Sequence, residues 1–363
     1  MKKVLVVNTV SSKLDNGIFK IMYEYAKETK DYFLYDFVLT GNIEQEAISK
    51  LESIGNKFFV YRDFRHKRPI KYLKWLNGLL LENKYDIIHV HGNSATMLLE
   101  MYAAKANGID KRICHCHSSS SKFKVIHNLL KPALNKTVTS AVACSQVAGE
   151  WLFTTNFSIL NNGISSSKYQ FSEKERKQYR ELLKIEDSFV IGHVGYISDE
   201  KNQLFLIDIV ECLINDIPNI KLLLIGGGNE LPQLKEIIKN KKLDDYIITL
   251  GRRNDVPRLY SAMDLFVFPS KFEGFGLVLV EAQANGLICL SSDNVPKETA
   301  IDNSTKYLSL SDMNLWNEEI KSISINQISL NRKVISQANI DVICKKHFDI
   351  NTNRQKLIDL YEE

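Results

Sequence analysis

Residues 264 to 282 read Asp-Leu-Phe-Val-Phe-Pro-Ser-Lys-Phe-Glu-Gly-Phe-Gly-Leu-Val-Leu-Val-Glu-Ala. The order is an apolar strand, a turn and the start of a helix. Gly274 and Gly276 let backbone come close to a ligand, and the first turn of the following helix offers unpaired N–H groups and a partial positive charge. Such a site suits an anionic or polyhydroxyl ligand. Glu273 precedes the helix and Glu281 lies on its second turn, so two acceptors are spread along one ligand rather than gathered on one atom. A solvated turn with two ordinary charges has the same spacing. Against it, Glu281 stands among Leu277, Val278, Leu279, Val280 and Ala282, where an acid is costly without a partner.

Five of the eight histidines fall between positions 89 and 127: His89, His91, His115, His117 and His127. The run Cys114-His115-Cys116-His117 has ligand types for a metal. Strand residues alternate faces, however, so the cysteines point one way and the histidines the other, and the four do not converge on one ion. No Asp-x-Asp metal motif occurs, and the expectation is a site that needs neither metal nor cofactor.

A third candidate is the stretch from Arg62 to Lys84. It holds Arg65, His66, Lys67, Arg68, Lys71 and Lys74 among Leu73, Trp75, Leu76, Leu79, Leu80 and Leu81. A basic amphipathic helix of this kind could lie on anionic lipid, or could bury its apolar face in the core and leave its charges in water. Lys122, Lys124, Lys131 and Lys136 add to the same charge. Up to Ser165 the chain has 22 Lys and Arg against 14 Asp and Glu; beyond it, 25 against 29. The basic half suits a polyanion, an anionic membrane or a phosphorylated ligand. No nucleic-acid recognition motif is found in it.

These residues need a scaffold, and β-branched runs alternating with amphipathic stretches supply an α/β one with parallel sheets. Strands are expected at Val4–Asn8, Phe33–Leu39, Phe58–Tyr61, Asp86–Val90, Arg112–Cys116 and Thr139–Cys144, with helices such as Ile18–Glu28 and Ala95–Asn107 between them. A charged, non-periodic stretch from Ser165 to Asp187 reads as a linker. A second series follows at Phe189–His193, Lys221–Ile225, Tyr246–Leu250, Asp264–Phe268 and Leu287–Leu290. The 363 residues exceed what one core organises, about 250 to 300, so two doubly wound domains are expected, 1–167 and 168–344. The opening apolar run ends at Asn8, too short for a signal peptide, and no segment reaches the ~20 apolar residues of a membrane span. The expected location is cytoplasmic. Six cysteines without a paired pattern read as reduced thiols.

The segment Glu273 to Glu281, two glutamates separated by seven residues with a glycine-rich turn after the first, resembles the hallmark of the retaining glycosyltransferases of family 4, which have the GT-B fold. Further landmarks of that family stand in the expected order: Leu160-Asn161-Asn162-Gly163-Ile164, Ile191-Gly192-His193-Val194-Gly195 with Lys201-Asn202, Leu224-Ile225-Gly226-Gly227-Gly228, and Leu250 to Val256 leading through Leu259 to Asp264. The likeness is to enzymes that build bacterial capsules and exopolysaccharides. It implies two Rossmann-like domains facing a cleft, with a C-terminal helix in 345–363 crossing back to the first.

By that resemblance Glu281 holds the ribose hydroxyls of a nucleotide sugar, while Glu273 and the backbone amides of Phe275, Gly276 and Leu277 hold its sugar. Lys201 meets the diphosphate, His117 at a strand end faces the donor sugar, and Gly17 and Gly195 line the cleft. The family's arginine after Gly195 is replaced by Tyr196, so either Arg252 or Arg253 supplies the phosphate contact or the leaving group is held mainly by Lys201 and helix termini. The implied reaction is transfer of a hexose from a nucleotide sugar, a uridine diphosphate sugar first, to a lipid-linked or saccharide acceptor for capsule, exopolysaccharide or O-antigen. The basic half implies peripheral contact with the inner membrane face. A nucleotide-sugar epimerase of the same fold and a noncatalytic nucleotide-sugar-binding partner of a transferase are the alternatives.

Overall fold

Alternation of β-branched runs with amphipathic helices produces two parallel sheets, each wound on both faces. The computed structural model describes residues 1–10, 17–54, 57–63, 65–118, 120–121, 124–325 and 331–363. The first unit comprises Met1–Gly163 with Ile350–Glu363; the second is Ile164–Asp349.

In the first unit the order is β1 (Lys3–Asn8), α1 (Gly17–Thr29), β2 (Leu34–Thr40), α2 (Gln45–Glu52), β3 (Lys57–Tyr61), α3 (Pro69–Glu82), β4 (Ile87–Gly92), α4 (Leu98–Ala106), β5 (Lys111–Cys116), α5 (Lys124–Thr137), β6 (Ser140–Ala143), α6 (Gln146–Leu152) and β7 (Ser158–Ile159). Its strands lie side by side as β3-β2-β1-β4-β5-β6-β7, all parallel. The central strands are apolar on both faces because helices cover both: Val4, Leu5, Val6 and Val7 are buried.

The second unit follows as α7 (Glu173–Leu183), β8 (Phe189–Val194), α8 (Gln203–Leu213), β9 (Ile220–Ile225), α9 (Leu231–Asn240), β10 (Ile247–Gly251), α10 (Val256–Ala262), β11 (Leu265–Phe268), α11 (Leu277–Ala284), β12 (Ile288–Ser292), β13 (Thr305–Leu308), α12 (Met313–Ile325) and α13 (Arg332–Lys345). The last helix, α14 (Ile350–Glu362), belongs to the first unit, where Phe33 packs edge-on to Tyr361 at 4.9 Å between centroids. The second sheet runs β10-β9-β8-β11-β12-β13, again all parallel. Strand order reverses between β1 and β4 in one unit and between β8 and β11 in the other. In doubly wound sheets ligands bind beyond the carboxyl ends of the strands at that reversal.

Four expectations are corrected. The Ser165–Asp187 stretch is not a free linker: Ser172 caps α7, its hydroxyl accepting the N–H of Glu175. From α7, Arg176 and Arg180 reach across to Asp264. Ser-x-x-Glu at 172–175 has the sequence signature of a capping box, of which the structure forms the serine half while the Ser172 N–H donates to the Ser261 hydroxyl, a signal the charge density of the segment concealed. The units also divide at Gly163 and Asp349 rather than at 167 and 344. Ile164 donates its N–H to the carbonyl of Phe348, and Ser166 bonds Asp349 through both its N–H and its hydroxyl, at 3.0 and 2.6 Å. The region expected to be one helix from Ala95 to Asn107 begins instead as a 3₁₀ turn over Ala95–Met97 before α4. Finally, two edge strands escaped the pattern: β7 has two exposed residues, and β13 alternates with lysine on an outer edge. All six cysteines are free.

Candidate active site

The carboxyl ends of β8 and β11 carry the loops that build the site in the second unit. After β8, the N–H of Gly195 bonds the carbonyl of Ile225 at 3.0 Å and that of Ile197 bonds the carbonyl of Gly227 at 2.8 Å. The glycines at 226 and 228 are required by this approach. A Cβ at Gly226, whose φ is +152°, would fall 1.8 Å from the carbonyl oxygen of Gly195, and one at Gly228 would fall 2.3 Å from that of Ile197. Two loops are thereby pressed backbone to backbone, leaving little freedom to what they display.

The loop after β8 runs on to Lys201. Asn202, in the left-handed conformation at φ 58°, bonds the Pro269 carbonyl at 3.2 Å, and Lys271 N–H bonds the Glu200 carbonyl at 2.8 Å. These contacts join it to the loop after β11, where the Lys201 ammonium pairs with the Glu273 carboxylate. The same ammonium stands 5.7 Å from the centre of the Phe268 ring. Two residues 72 apart in sequence therefore meet at the reversal point of the sheet.

His193, at the end of β8, is wholly buried, and burial holds its imidazole down at about 4. Its Nδ1–H donates to the Val267 carbonyl at 3.0 Å, and its Nε2 accepts from the Gln203 amide at 3.2 Å. Gln203 also donates to the Tyr196 carbonyl and accepts the Ser198 N–H, which clamps the whole 196–198 turn. Sequence reading did not assign His193 and Gln203 a role. Gly195 gives room beside them, since a Cβ there would sit 3.3 Å from His193 Nε2 and 3.8 Å from Lys201 Cγ.

Downstream of Glu273, Gly276 caps α11 with φ 90°, a conformation that favours glycine. As the residues opening this helix, Phe275, Gly276 and Leu277 carry amides that point out of its N-terminus. Phe275 is anchored edge-on to Phe348 at 5.0 Å. The awkward acid has a partner: Glu281, 2% exposed, accepts a hydrogen bond from the Tyr260 hydroxyl at 3.0 Å. Tyr260 comes from α10, so α10 and α11 place the carboxylate together.

The two candidate arginines separate. Arg253 is bound to Asp255 by a fork of two bonds, 2.8 and 2.6 Å, and Asp255 also accepts from Tyr179. Arg253, its largest influence, holds the Asp255 carboxyl down at about 2. Arg252 instead lies beside the glycine loop, where a Cβ on Gly227 would be 3.7 Å from its Nε. The hydroxyl of Tyr196 accepts the N–H of Asn229 at 3.3 Å.

In the first unit, His117 directly follows β5 and is 8% exposed. Both its nitrogens are engaged, Nε2 with His91 Nδ1 at 2.9 Å and Nδ1 with Asn162 Oδ1 at 3.2 Å. Burial holds its imidazole down at about 4. Gly17 is the first residue of α1, with nothing within 4 Å of where a Cβ would stand; its neighbour Asn16 lies outside the described residues. Cys114 and Cys116 do turn away from the histidines, Cys114 toward Met97 at 3.8 Å.

The basic stretch at 62–84 is a correction to the lipid-facing reading. Tyr72, Leu76, Leu79 and Leu80 of α3 are buried, and Trp75 packs on the same core. Arg65 is buried against Glu100, and Lys71 pairs with Asp63. Of the apolar residues of α3, Ile70 and Leu81 stay exposed, at its opposite ends, whereas exposed apolar side chains gather more closely on α5, where Val125 and Leu129 are 83% and 78% exposed and Ile126 is 47% exposed beside Lys124. Lys122 lies outside the described residues.

Comparison with known proteins agrees with this geometry. Residues 174–340 match the family described as glycosyl transferases group 1. The capsular polysaccharide biosynthesis glycosyltransferase CapH of Staphylococcus aureus is 26% identical over 91% of this chain and 90% of its own. An Escherichia coli UDP-Gal:alpha-D-GlcNAc-diphosphoundecaprenol alpha-1,3-galactosyltransferase is 28% identical over 67% of each chain. Among solved structures, HepE of Anabaena in complex with UDP-glucose superposes with a TM-score of 0.78 over all of both chains, at 20% identity.

Proposed function

The chain is a group 1 glycosyltransferase of polysaccharide biosynthesis on the GT-B fold, and from that premise we propose that it moves a hexose from a uridine diphosphate sugar to a lipid-linked acceptor with retention at the anomeric carbon. The observation that carries this reading is the meeting of Lys201 and Glu273 at the reversal point of the second sheet, with Glu281 buried at the start of the second turn of α11. Charge must be stabilised on a departing diphosphate while positive charge grows at the anomeric carbon. Fixed cations and helix N-termini supply that stabilisation.

In this reading Glu281, oriented by Tyr260, takes the ribose hydroxyls. Glu273 and the amides of Phe275, Gly276 and Leu277 take the sugar, and Lys201 with Arg252 takes the diphosphate in place of the arginine that Tyr196 displaces. Arg253 drops out, being held by Asp255. The acceptor hydroxyl attacks on the face the diphosphate leaves: its oxygen bonds the anomeric carbon, the carbon–oxygen bond to phosphate breaks, and its proton passes to the departing phosphate oxygen. No metal is required for these steps. By the family resemblance His117 is the first unit's candidate for a sugar hydroxyl, its Nδ1 being engaged with Asn162 until a ligand replaces that bond.

An acceptor on a lipid diphosphate, as named for the E. coli relative, needs access to a membrane surface from the cytoplasmic side. The exposed Val125, Ile126 and Leu129 beside Lys124 suit a peripheral contact with anionic lipid. Glu281→Ala should weaken UDP binding at least about tenfold, the loss of a hydrogen bond to a charged group. Calorimetry that finds unchanged affinity rules the assignment out. Incubating donor without acceptor and finding an isomeric sugar would instead favour an epimerase.

A further inference from the structure

Lys201 is placed from behind by two buried side chains, His193 near the end of β8 and Gln203 at the first position of α8, 0% and 2% exposed. Buried polar groups are costly unless their donors and acceptors are used, and here they fit together in one way. The Val267 carbonyl can only accept, so Nδ1 of His193 carries the ring's proton. Burial keeps the ring neutral, which leaves Nε2 a lone pair that only a donor can fill, and the Gln203 amide nitrogen fills it at 3.2 Å. The N–H of Ser198 can only donate, so Gln203 Oε1 faces it, also at 3.2 Å. The second amide hydrogen goes to the Tyr196 carbonyl at 3.0 Å. Neither the ring nor the amide can be turned over without losing these bonds.

From Gln203 the order passes to Lys201 through one residue. The carbonyl of Ser198 accepts the N–H of Lys201 at 3.0 Å and that of Asn202 at 3.2 Å. Ser198 is thus held at both ends, its N–H by the Gln203 side chain and its carbonyl by the residue that bears the ammonium. In the other direction the clamp is rooted in β11. The His193 ring lies parallel to that of Phe266, 3° between planes, and bonds the neighbouring Val267. The same strand leads into the loop that carries Glu273. One strand therefore sets the frame for both the carboxylate and the ammonium that pairs with it.

We propose that His193 and Gln203 are positioning residues for the diphosphate: they fix the 196–198 turn before the donor arrives, so that the Lys201 ammonium meets the leaving group on a loop already ordered. The inference rests on the assignment of Lys201 to the diphosphate and concerns two residues that do not themselves touch the donor. Order set in advance raises affinity because a loop left free must be fixed at the moment of binding, at a cost in conformational entropy. Gln203 has no substitute of its own size. Methionine fills the space without a polar atom, and glutamate keeps the acceptor for Ser198 but turns an oxygen lone pair on the Tyr196 carbonyl and on His193 Nε2.

UDP is the probe, titrated by calorimetry into the full-length chain. Gln203→Met should weaken it about tenfold. Combining Lys201→Ala with Gln203→Met should weaken it no further than Lys201→Ala alone, because the clamp acts through Lys201. A residue that merely holds the fold together would cost the same factor with or without Lys201, and that result overturns the proposal. So does unchanged affinity in Gln203→Met where Lys201→Ala lowers it. Unchanged affinity in Lys201→Ala is a different failure, that of the diphosphate assignment, and the proposal falls with it. Should Gln203→Met fail to fold, His193→Phe, which keeps a ring beside Phe266 but offers Gln203 no acceptor, takes its place in the cycle. Hydrogen exchange on the wild-type chain needs no variant: the amides of Ser198 and Lys201 should be protected before UDP is added. Free exchange that slows only when UDP binds would show a turn ordered by its ligand and would overturn the preset clamp.

Discussion

Replacing Lys201 by alanine does two separable things, and a double-mutant cycle with Glu273→Gln tells them apart. In the free protein the change strands the Glu273 carboxylate, whose side chain is 8% exposed against 23% for Lys201. Breaking a fully buried pair costs about 3–5 kcal/mol and a surface pair about 0–1. This pair lies between, so a loss of about 1–3 kcal/mol is expected, roughly 2 to 10 °C in the melting of a unit this size. Adding Glu273→Gln removes the stranded charge, and the double variant should regain most of that loss. UDP affinity should behave otherwise. UDP has the diphosphate but lacks the transferred hexose, so Lys201→Ala should weaken it by about 1.5–3 kcal/mol, some 10- to 150-fold, with turnover falling alongside. Glu273→Gln should leave UDP binding nearly unchanged, and the double variant should bind UDP no better than Lys201→Ala. Thermal melts and calorimetry on the four proteins complete the cycle. If UDP affinity survives Lys201→Ala, or falls equally with Glu273→Gln, then Lys201 serves only to hold Glu273 and the diphosphate assignment fails.

Gly226→Ala sets a methyl group against the Gly195 carbonyl at 1.8 Å; strain of at least about 1–3 kcal/mol should appear as a lower melting temperature and weaker UDP binding, and a melt identical to wild type would show that the two loops can part. Acid should unfold the second unit through His193. Its imidazole is held at about 4 against an ordinary 6.5, so between those values the unfolded chain binds more protons and stability falls as pH drops. The group's full contribution is about 3 kcal/mol; it is present above about pH 6.5 and lost as pH falls toward 4. A melting temperature that stays level from about pH 7 to about pH 5 would contradict this.

Much of the scaffold was legible because period and turn chemistry act locally. The strand at Val4, the turn at Gly274 and Gly276, and the improbable acid at 281 all follow from neighbours within a few residues. An edge strand such as Thr305–Leu308 was not legible, since only one of its four residues is buried and a lysine breaks the apolar pattern. The 165–187 segment was misread for a related reason: α7 is held by its Ser172 cap and by Arg176 and Arg180 on Asp264, whereas only two of its residues are buried.

The sequence by itself determined which residues could take part: two glutamates eight positions apart, glycines where backbone must approach backbone, and histidines on alternate positions of two strands. Their partners were decided by tertiary structure. The alternation argument correctly kept Cys114 and Cys116 away from His115, but it could not say that β4 lies beside β5 and brings His89 and His91 to the same face. Likewise, nothing in the spacing of Lys201 and Glu273 joins them. They meet because sheet order reverses between β8 and β11, which sets the ends of two strands distant in sequence side by side. Short-range order is encoded by the chain's own periodicity, whereas strand adjacency is a property of the whole packed sheet.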